Sequence, residues 1–137
     1  MKPLIPGNIL QRNCKRINNE YVHLEYLNMK KLIDFTVTEN KRLNHDTILL
    51  VLHSEELPEI QPGQFVNVRV DHSPSTFLRR PISVHDVDEA RGLLYLFIKI
   101  VGCGTSTLGD LQIGDKVNVM LPLGNHFSIP ASGRPLL

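Results

Sequence analysis

The sequence is poor in cysteine, in net charge and in long apolar runs. Its two cysteines, Cys14 and Cys103, lie far apart and provide neither a disulfide framework nor a four-ligand metal site. A net charge of +1 at pH 7 argues against a protein that coats nucleic acid or anionic membranes through basic excess. The longest apolar run, residues 93–98, falls well short of the roughly 20 residues of a membrane span.

Motifs of hydrolases and of zinc enzymes are also missing. The six histidines form no HxxxH pair, no CxxC motif is present, and no serine stands in a G-x-S-x-G elbow. We therefore predict no metal site and assign no catalytic residue. No apolar segment follows the first charged residues, so a cleaved secretory signal is not expected and the predicted location is the cytoplasm.

The length of 137 residues and the 42% of apolar residues predict one globular domain that needs no disulfide or metal crosslinks to be stable. Residues 1–29 are rich in turn formers and read as a poorly ordered N-terminal extension. Local positive charge at Arg12, Lys15 and Arg16 leaves a nucleic-acid-binding arm as the alternative. The domain itself is predicted over residues 30–132. The apolar residues after Gly133 and Arg134 are either the start of a further domain or a short frayed tail.

From residue 31 onward, short runs rich in β-branched and aromatic residues alternate with turn signals. The turns include Gln61-Pro62-Gly63 and Gly114-Asp115. One short helix is predicted between residues 106 and 112. Six short strands at this spacing predict an all-β fold, a small antiparallel barrel. The predicted strands cover residues 33–38, 47–52, 64–70, 81–87, 93–101 and 116–121.

Two local motifs have chemistry suited to a phosphate-bearing ligand. Gly102-Cys103-Gly104-Thr105 follows the most apolar strand and opens the predicted helix, where glycine lets backbone amides approach a phosphate. Arg80, in Arg79-Arg80-Pro81-Ile82-Ser83, offers a planar fork for phosphate oxygens. Taken singly, each motif has a structural explanation: a glycine-rich strand end, or solvated charge. Taken together, they would suit one ligand that carries a ring system and a diphosphate.

These motifs, with Leu111-Gln112-Ile113-Gly114-Asp115 and Pro122-Leu123-Gly124-Asn125-His126-Phe127, resemble the FAD-binding domain of ferredoxin–NADP reductase-type flavoproteins. The resemblance covers roughly residues 30–137 and implies a six-stranded Greek-key barrel. Many branches of this family carry Tyr where this chain has Ile82. The Arg-Pro-Ile-Ser version is similar to the electron-transfer subunits of bacterial NAD-dependent dihydroorotate dehydrogenases, which serve pyrimidine synthesis.

The resemblance also implies which residues bind FAD. Arg80 would contact phosphate or ribityl oxygens, Ser83 would lie near the reactive edge of the isoalloxazine, and Gly104 with Thr105 would receive the pyrophosphate. A second flavin-contacting stretch would lie on the strand before the glycines. The complete implied set is Arg80, Pro81, Ile82, Ser83, Phe97, Ile98, Lys99, Gly104 and Thr105.

Partners and further cofactors follow from the same resemblance. Electrons would pass from an FMN-containing dihydroorotate dehydrogenase catalytic subunit through a [2Fe–2S] cluster to FAD and then to NAD, within a hetero-oligomer. The four cysteines of such a cluster are missing here, and Cys14 with Cys103 cannot replace them. The cluster and NAD are therefore expected only with a missing C-terminal region, whose nucleotide-binding domain would begin at residues 133–137.

The sequence departs from the family motif at one position, and two alternative functions remain open. The family usually shows Gly-Pro-Leu-Gly where this chain has Leu121-Pro122-Leu123-Gly124, which predicts an altered turn near the flavin. The first alternative keeps the fold and makes the chain the reductase component of another flavin/iron–sulfur system, of the sulfhydrogenase type. The second is a β-barrel interaction module that binds no flavin.

Overall fold

Six antiparallel strands close into a barrel in the computed structural model, which describes residues 29–73 and 75–128. The order around the barrel is β1-β2-β5-β4-β3-β6, a Greek-key order in which β2 crosses over to pair with β5. One helix, α1 (Cys103–Gly109), lies between β5 and β6, and a 3₁₀ turn joins β4 to β5. The strands are β1 (Lys31–Arg42), β2 (Thr47–His53), β3 (Phe65–Val68), β4 (Arg80–Asp88), β5 (Leu93–Lys99) and β6 (Lys116–Leu123).

The barrel with one short helix confirms the fold predicted from the sequence. Predictions for residues 1–28 and 129–137, the N-terminal extension and the start of a further domain, lie outside the described residues. The domain boundaries at residues 30 and 132 stay predictions.

Alternation of side chains along the strands creates the barrel core. Ile33, Phe35 and Val37 of β1 point inward and are buried. Leu32, which immediately precedes Ile33, points outward and is 60% exposed. Strand β2 is buried almost throughout, as its continuous apolar sequence predicts. Burying these side chains is the main favourable term for the fold. The fully buried members include Phe35, Ile48, Leu50, Leu52, Leu94, Leu96, Ile98, Leu108 and Leu121.

Several element boundaries differ from the predicted ones because pairing and side-chain capping decide them. Strand β1 continues to Arg42, past the predicted end at residue 38, since Arg42 still pairs with Ile48 of β2. Helix α1 begins at Cys103, ahead of the predicted residues 106–112. The Thr105 hydroxyl oxygen explains that early start, because it accepts the amides of Val101 and Gly102 at 2.9 and 3.2 Å. Strands β3 and β5 end two residues earlier than predicted.

Helix α1 is fastened to the barrel at its C-terminal end. Leu108 inserts into the core. The Asn40 amide of β1 donates to the carbonyls of Leu108, Gly109 and Leu111 at 3.1, 3.2 and 2.9 Å. The last carbonyls of a helix lack hydrogen-bond donors within the helix, and here the Asn40 side chain donates to them. Asn40 therefore fixes the helix relative to the barrel.

Replacing Asn40 by Ala should lower the free energy of unfolding by about 1–3 kcal/mol, because part-buried carbonyls lose their donor. Asn40→Asp should cost at least as much, since a carboxylate cannot donate to carbonyl oxygens. Urea unfolding of both variants measures the effect. Asn44→Ala is the matched control: this exposed turn residue accepts a single hydrogen bond from the Asp46 amide. Equal effects at Asn40 and Asn44 would contradict this account of the helix end.

Candidate functional site

Strands β4 and β5 lie side by side and present a common outer face. Val84 pairs with Leu96, and alternation from this pair turns Ser83 of β4 and Phe97 of β5 outward on neighbouring strands. Both are exposed, and Phe97 keeps 51% of its surface accessible although it sits in the middle of a strand. An exposed aromatic beside a hydroxyl offers a planar apolar ligand a surface to lie on and a hydrogen-bonding edge.

His85 extends this outer face and was missed by the sequence analysis. Its ring centroid lies 5.7 Å from that of Phe97, with an interplanar angle of 37°. A signal was available, because strand alternation puts His85 on the same side as Ser83. Beside His85 a groove of about 430 Å³ runs between β4 and the loop at Pro62 and Gly63. The outer face therefore continues past Phe97 into this groove.

Two of the predicted site residues turn the other way. Ile98 is 1% exposed and belongs to the core, and Ile82 is half buried and packs against that core. Both alternate with residues of the outer face, which is why their side chains point inward. Pro81 is exposed on the outer side. Of the predicted strand residues, Pro81, Ser83, Phe97 and Lys99 present side chains outward, whereas Ile82 and Ile98 contribute backbone only.

Lys99 ends β5 and is held by the turn before β2. Its Nζ lies 3.5 Å from Oδ2 of Asp46. The pKa of Asp46 lies below its usual value because the Thr47 hydroxyl donates to the carboxylate, with smaller contributions from His45 and Lys99. Asp46 therefore stays ionised and keeps Lys99 at the edge of the outer face. The Lys99 side chain is 68% exposed and remains accessible to a ligand.

Past the ends of β4 and β5 the two predicted motifs meet in one cleft. This cleft of about 280 Å³ is bordered by Arg80 and Thr76 on one side and by the Gly102 to Thr105 segment on the other. A Cβ atom on Gly104 would lie 2.6 Å from Nε of Arg80 and 3.3 Å from Cγ2 of Thr76. A larger residue at position 104 would therefore force the Arg80 side chain to shift. Arg80 and Gly104 are 24 residues apart in the sequence, and the fold brings them into contact.

The two adjacent arginines have different roles. Arg79 binds the barrel itself, since its guanidinium donates to the Asn118 carbonyl at 3.1 Å and to the Asn118 side-chain oxygen at 2.5 Å. Within the described part of the chain, the Arg80 guanidinium has neither a hydrogen-bond partner nor an ion-pair partner. Arg80 is therefore the arginine with donors available for a ligand in the cleft.

Thr105 and Thr76 shape this cleft from within. Thr105 is 8% exposed, and its hydroxyl oxygen already accepts hydrogen bonds from the Val101 and Gly102 amides. The group of Thr105 that remains available to a ligand is its backbone amide. The first amides of a helix lack carbonyl partners within it, which makes those of Cys103, Gly104 and Thr105 available donors. Thr76 was missed by the sequence analysis because nothing in its polar loop distinguishes it from neighbouring residues.

The departure at Leu121 does not alter a turn. Leu121 is fully buried inside β6, where it pairs with Lys31, and β6 continues to Leu123. The chain turns only at Gly124, whose φ is 78°. The prediction of an altered turn was wrong because this position is a core position of a strand. Phe127, at the end of the same motif, is exposed and lies over Gly63 beside the groove.

The described residues contain neither a metal-binding cluster nor a membrane-spanning helix. In residues 29–73 and 75–128, no group of three His, Cys, Asp or Glu side chains is arranged to hold a metal ion. No helix in that same part of the chain is long and apolar enough to cross a membrane.

The family of oxidoreductase FAD-binding domains matches the chain over residues 34–127. The chain belongs to this family. It is thus a domain of a flavin-dependent oxidoreductase, and its cofactor is FAD. The matched residues contain both the outer face of β4 and β5 and the cleft at Arg80 and Gly104.

Curated relatives of this FAD-binding domain carry a more specific name. The electron transfer subunit of dihydroorotate dehydrogenase B (NAD(+)) from Desulforamulus reducens is 37% identical over 106 residues, which is 77% of this chain and 40% of the relative. The subunit of the same name from Fusobacterium nucleatum is 35% identical over 100 residues, 72% of this chain and 39% of the relative. The chain thus spans about two-fifths of the length of the curated relatives it matches.

Solved structures agree with the family and its fold. An NADH-dependent reduced ferredoxin–NADP oxidoreductase is 29% identical with a TM-score of 0.62, over 69% of this chain and 34% of that protein. A cytochrome P450 reductase from Amycolatopsis is 28% identical with a TM-score of 0.60, over 77% of this chain and 33% of that protein. These similarities cover the barrel and support its identification as a ferredoxin reductase-type FAD-binding domain.

Replacing Gly104 by Ala should weaken FAD binding about tenfold, because the added methyl group displaces Arg80 from the cleft. The dissociation constant, measured by titration of flavin fluorescence, reports the change. Gly109→Ala is the matched control, since it changes a glycine at the other end of α1 where the new methyl group meets the flexible end of Ile100. Both variants should unfold like the parent protein. Unchanged FAD affinity in Gly104→Ala would contradict a ligand-binding role for the Arg80–Gly104 contact.

Proposed function

We propose that this chain is the FAD-binding part of an electron-transfer subunit that serves a dihydroorotate dehydrogenase. In this proposal, electrons from dihydroorotate reach FAD from an FMN-containing catalytic subunit through a [2Fe–2S] cluster and leave to NAD, in a cytoplasmic hetero-oligomer of pyrimidine synthesis. Relatives of the same name support it at 35% to 39% identity. The contact of Arg80 with Gly104 carries the FAD-binding part of the proposal, since it joins the two motifs in one cleft. The names of the relatives carry the dihydroorotate part.

The cleft supplies donors for the diphosphate of FAD. Arg80 brings a cationic fork, and the amides of Gly104 and Thr105 bring neutral donors from across the cleft. Charge-assisted hydrogen bonds of this kind are about twice as strong as neutral ones. The methyl-free Cα of Gly104 allows both sets of donors to converge on one phosphate group. We therefore assign diphosphate binding to Arg80, Gly104 and Thr105.

The outer face of β4 and β5 supplies the surface for the isoalloxazine. Phe97 offers an exposed apolar ring, Pro81 an apolar edge, and Ser83 a hydroxyl within reach of a flavin heteroatom or carbonyl. Lys99, held by Asp46 near the strand end, adds positive charge between this face and the cleft. Ile82 and Ile98 support the same strands from inside the barrel, and only their backbone groups face the ligand side.

When bound, FAD supplies the redox chemistry, and the chain's own residues orient it and set its surroundings. Donors such as the Ser83 hydroxyl, together with the positive charge of Lys99, favour added electron density on a ring lying beside them. One side of the ring rests on the barrel. The other side stays open to whatever delivers or removes electrons.

The cluster and the NAD site belong, in this proposal, to sequence beyond the matched domain. The curated relatives are more than twice as long as their matched segments. Four cysteine ligands are needed for a [2Fe–2S] cluster, whereas this sequence holds two cysteines. The role assigned to the present residues is accordingly limited to FAD.

Replacing Arg80 by Ala should weaken FAD binding by about 1.5–3 kcal/mol, the usual contribution of a hydrogen bond to a charged group. Titration of the flavin absorbance near about 450 nm measures the dissociation constant. Arg69→Ala is the matched control, because Arg69 is an exposed arginine paired with Asp71 and lies outside the cleft. An equal loss in both variants would indicate a general charge effect and contradict the assignment of Arg80. A wild-type protein that binds no flavin would contradict the proposed function as a whole.

Dihydroorotate should reduce the FAD when a full-length electron-transfer subunit, which contains this domain together with the cluster and the NAD site, is assembled with an FMN-containing dihydroorotate dehydrogenase catalytic subunit under anaerobic conditions. The expected result is loss of flavin absorbance beyond the amount due to FMN, which a parallel sample of the catalytic subunit alone provides. Addition of NAD should then restore the absorbance. If dithionite reduces the bound FAD but dihydroorotate does not, the FAD site stands and the dihydroorotate branch is wrong. A reductase component of another flavin/iron–sulfur system is then the better description.

A further inference from the structure

The Arg79 side chain reaches across two strands of the barrel that are not its own. It is half buried, and its guanidinium donates to the Asn67 carbonyl of β3 at 3.3 Å and to the Asn118 carbonyl of β6 at 3.1 Å. A further donor binds the Asn118 side-chain oxygen at 2.5 Å. An arginine that meets three acceptors is held in one geometry, because its planar fork loses little freedom per bond formed. Neither the family match nor the names of the relatives assign a role to Arg79.

Asn118 presents its side-chain oxygen to Arg79 because its side-chain nitrogen is already engaged. That nitrogen donates to Oδ1 of Asp34, which lies opposite Asn118 on β1, at 2.7 Å. An ionised carboxylate can only accept hydrogen bonds, so it binds the amide NH₂ group and leaves the amide oxygen facing the other way. Asp34, Asn118 and Arg79 therefore form one row of hydrogen bonds, which runs from β1 across β6 to the chain just before β4.

This row ends beside the least supported stretch of β4. Residues 80–83 pair with β3, whereas the pairing of β4 with β5 begins at Val84. The pair that Arg80 makes with the end of β3 is the last one of that ladder, and Leu78, two residues earlier, is 74% exposed. The hydrogen bonds of Arg79 therefore hold the start of β4 at the point where the ladder ends.

We propose that Arg79 is a positioning residue of the FAD site, which fixes the start of β4 and thereby holds the Arg80 guanidinium in the cleft beside Gly104. The proposal rests on the proposed FAD site, because Arg79 acts on the ligand only through Arg80. A donor that is already held in place loses little conformational freedom when the ligand binds, so affinity rises without a new contact. Lysine cannot replace Arg79 in this role, because two separate donors of one fork reach the carbonyl and side-chain oxygens of Asn118.

The first test is a double-mutant cycle on the FAD dissociation constant. Titration of flavin fluorescence measures this constant in wild type, Arg79→Ala, Arg80→Ala and the double variant. Arg79→Ala should weaken FAD about fivefold, a usual size of coupling within one hydrogen-bond network. The same change should have little effect once Arg80 is alanine, because the group that Arg79 positions is then absent. Arg91→Ala is the matched control, since Arg91 is an exposed arginine just past the other end of β4 and binds Asp88.

The second test exchanges the two side chains that orient Arg79. Asn118→Ala removes the side-chain acceptor and should weaken FAD about threefold. The combined exchange of Asp34→Asn with Asn118→Asp keeps an acceptor for Arg79 and a hydrogen bond between β1 and β6, so FAD affinity should stay within about twofold of wild type. A residue that served stability alone would lower the unfolding midpoint and leave FAD affinity, measured well below that midpoint, unchanged. An exchange that weakens FAD as much as Asn118→Ala would contradict the row.

Equal weakening by Arg79→Ala in both backgrounds of residue 80 would overturn the proposal, because Arg79 would then act on FAD without Arg80. Unchanged FAD affinity in Arg79→Ala and Asn118→Ala, with a clear loss in Arg80→Ala, would overturn it as well and leave the FAD site standing. Unchanged affinity in Arg80→Ala would overturn the FAD site and, with it, the positioning role. If Arg79→Ala does not fold, the same cycle with Asn118→Ala in its place decides between these outcomes.

Discussion

The contact between the Arg80 side chain and the bare Cα of Gly104 is the constraint on which the rest of the site depends. It brings a guanidinium from the start of β4 against the first turn of α1, where backbone amides have no carbonyl partners. A methyl group on residue 104 would lie 2.6 Å from Nε and would force the arginine side chain to move. The present position of the guanidinium in the cleft therefore depends on the absence of a side chain at residue 104.

The barrel topology creates this contact from residues that are distant in sequence. Strand β2 crosses over to β5, and β5 then pairs with β4, so the ends of β4 and β5 are neighbours at one edge of the barrel. The β3–β4 loop and α1 both leave from that edge. Asn40 and Leu108 hold α1 in place from β1 and from the core. The energy that positions the donors thus comes from packing remote from the ligand, which lets the cleft itself remain open and polar.

The sequence predicted the fold, and it predicted most of the residues that the structure brings together at the candidate site, for identifiable physical reasons. The alternation in β1 and the apolar run in β2 are local sequence patterns, so both strands were predictable. The Arg80 and Gly104 motifs were recognisable because arginine and glycine are residue types suited to phosphate binding. The side chains of Ile82 and Ile98 point inward because of where each residue falls in the side-chain alternation of its strand. The motif alone does not show which residues of the strand face the core. Thr76 and the early start of α1 depend on contacts made only after the chain closes. Leu121 was misjudged because a family turn motif here lies within a strand.

The proposed flavin site is one-sided, and a one-sided site suits electron transfer. A barrel that enclosed the flavin would isolate its ring, whereas the outer face at Ser83 and Phe97 would support one side only. Affinity must then come from parts of the cofactor away from the ring. In the proposed site, the cleft at Arg80 and Gly104 would hold the diphosphate through charge-assisted hydrogen bonds. Binding and redox access are in this way assigned to different ends of one ligand. The electron partners can approach the ring without competing with the residues that hold it.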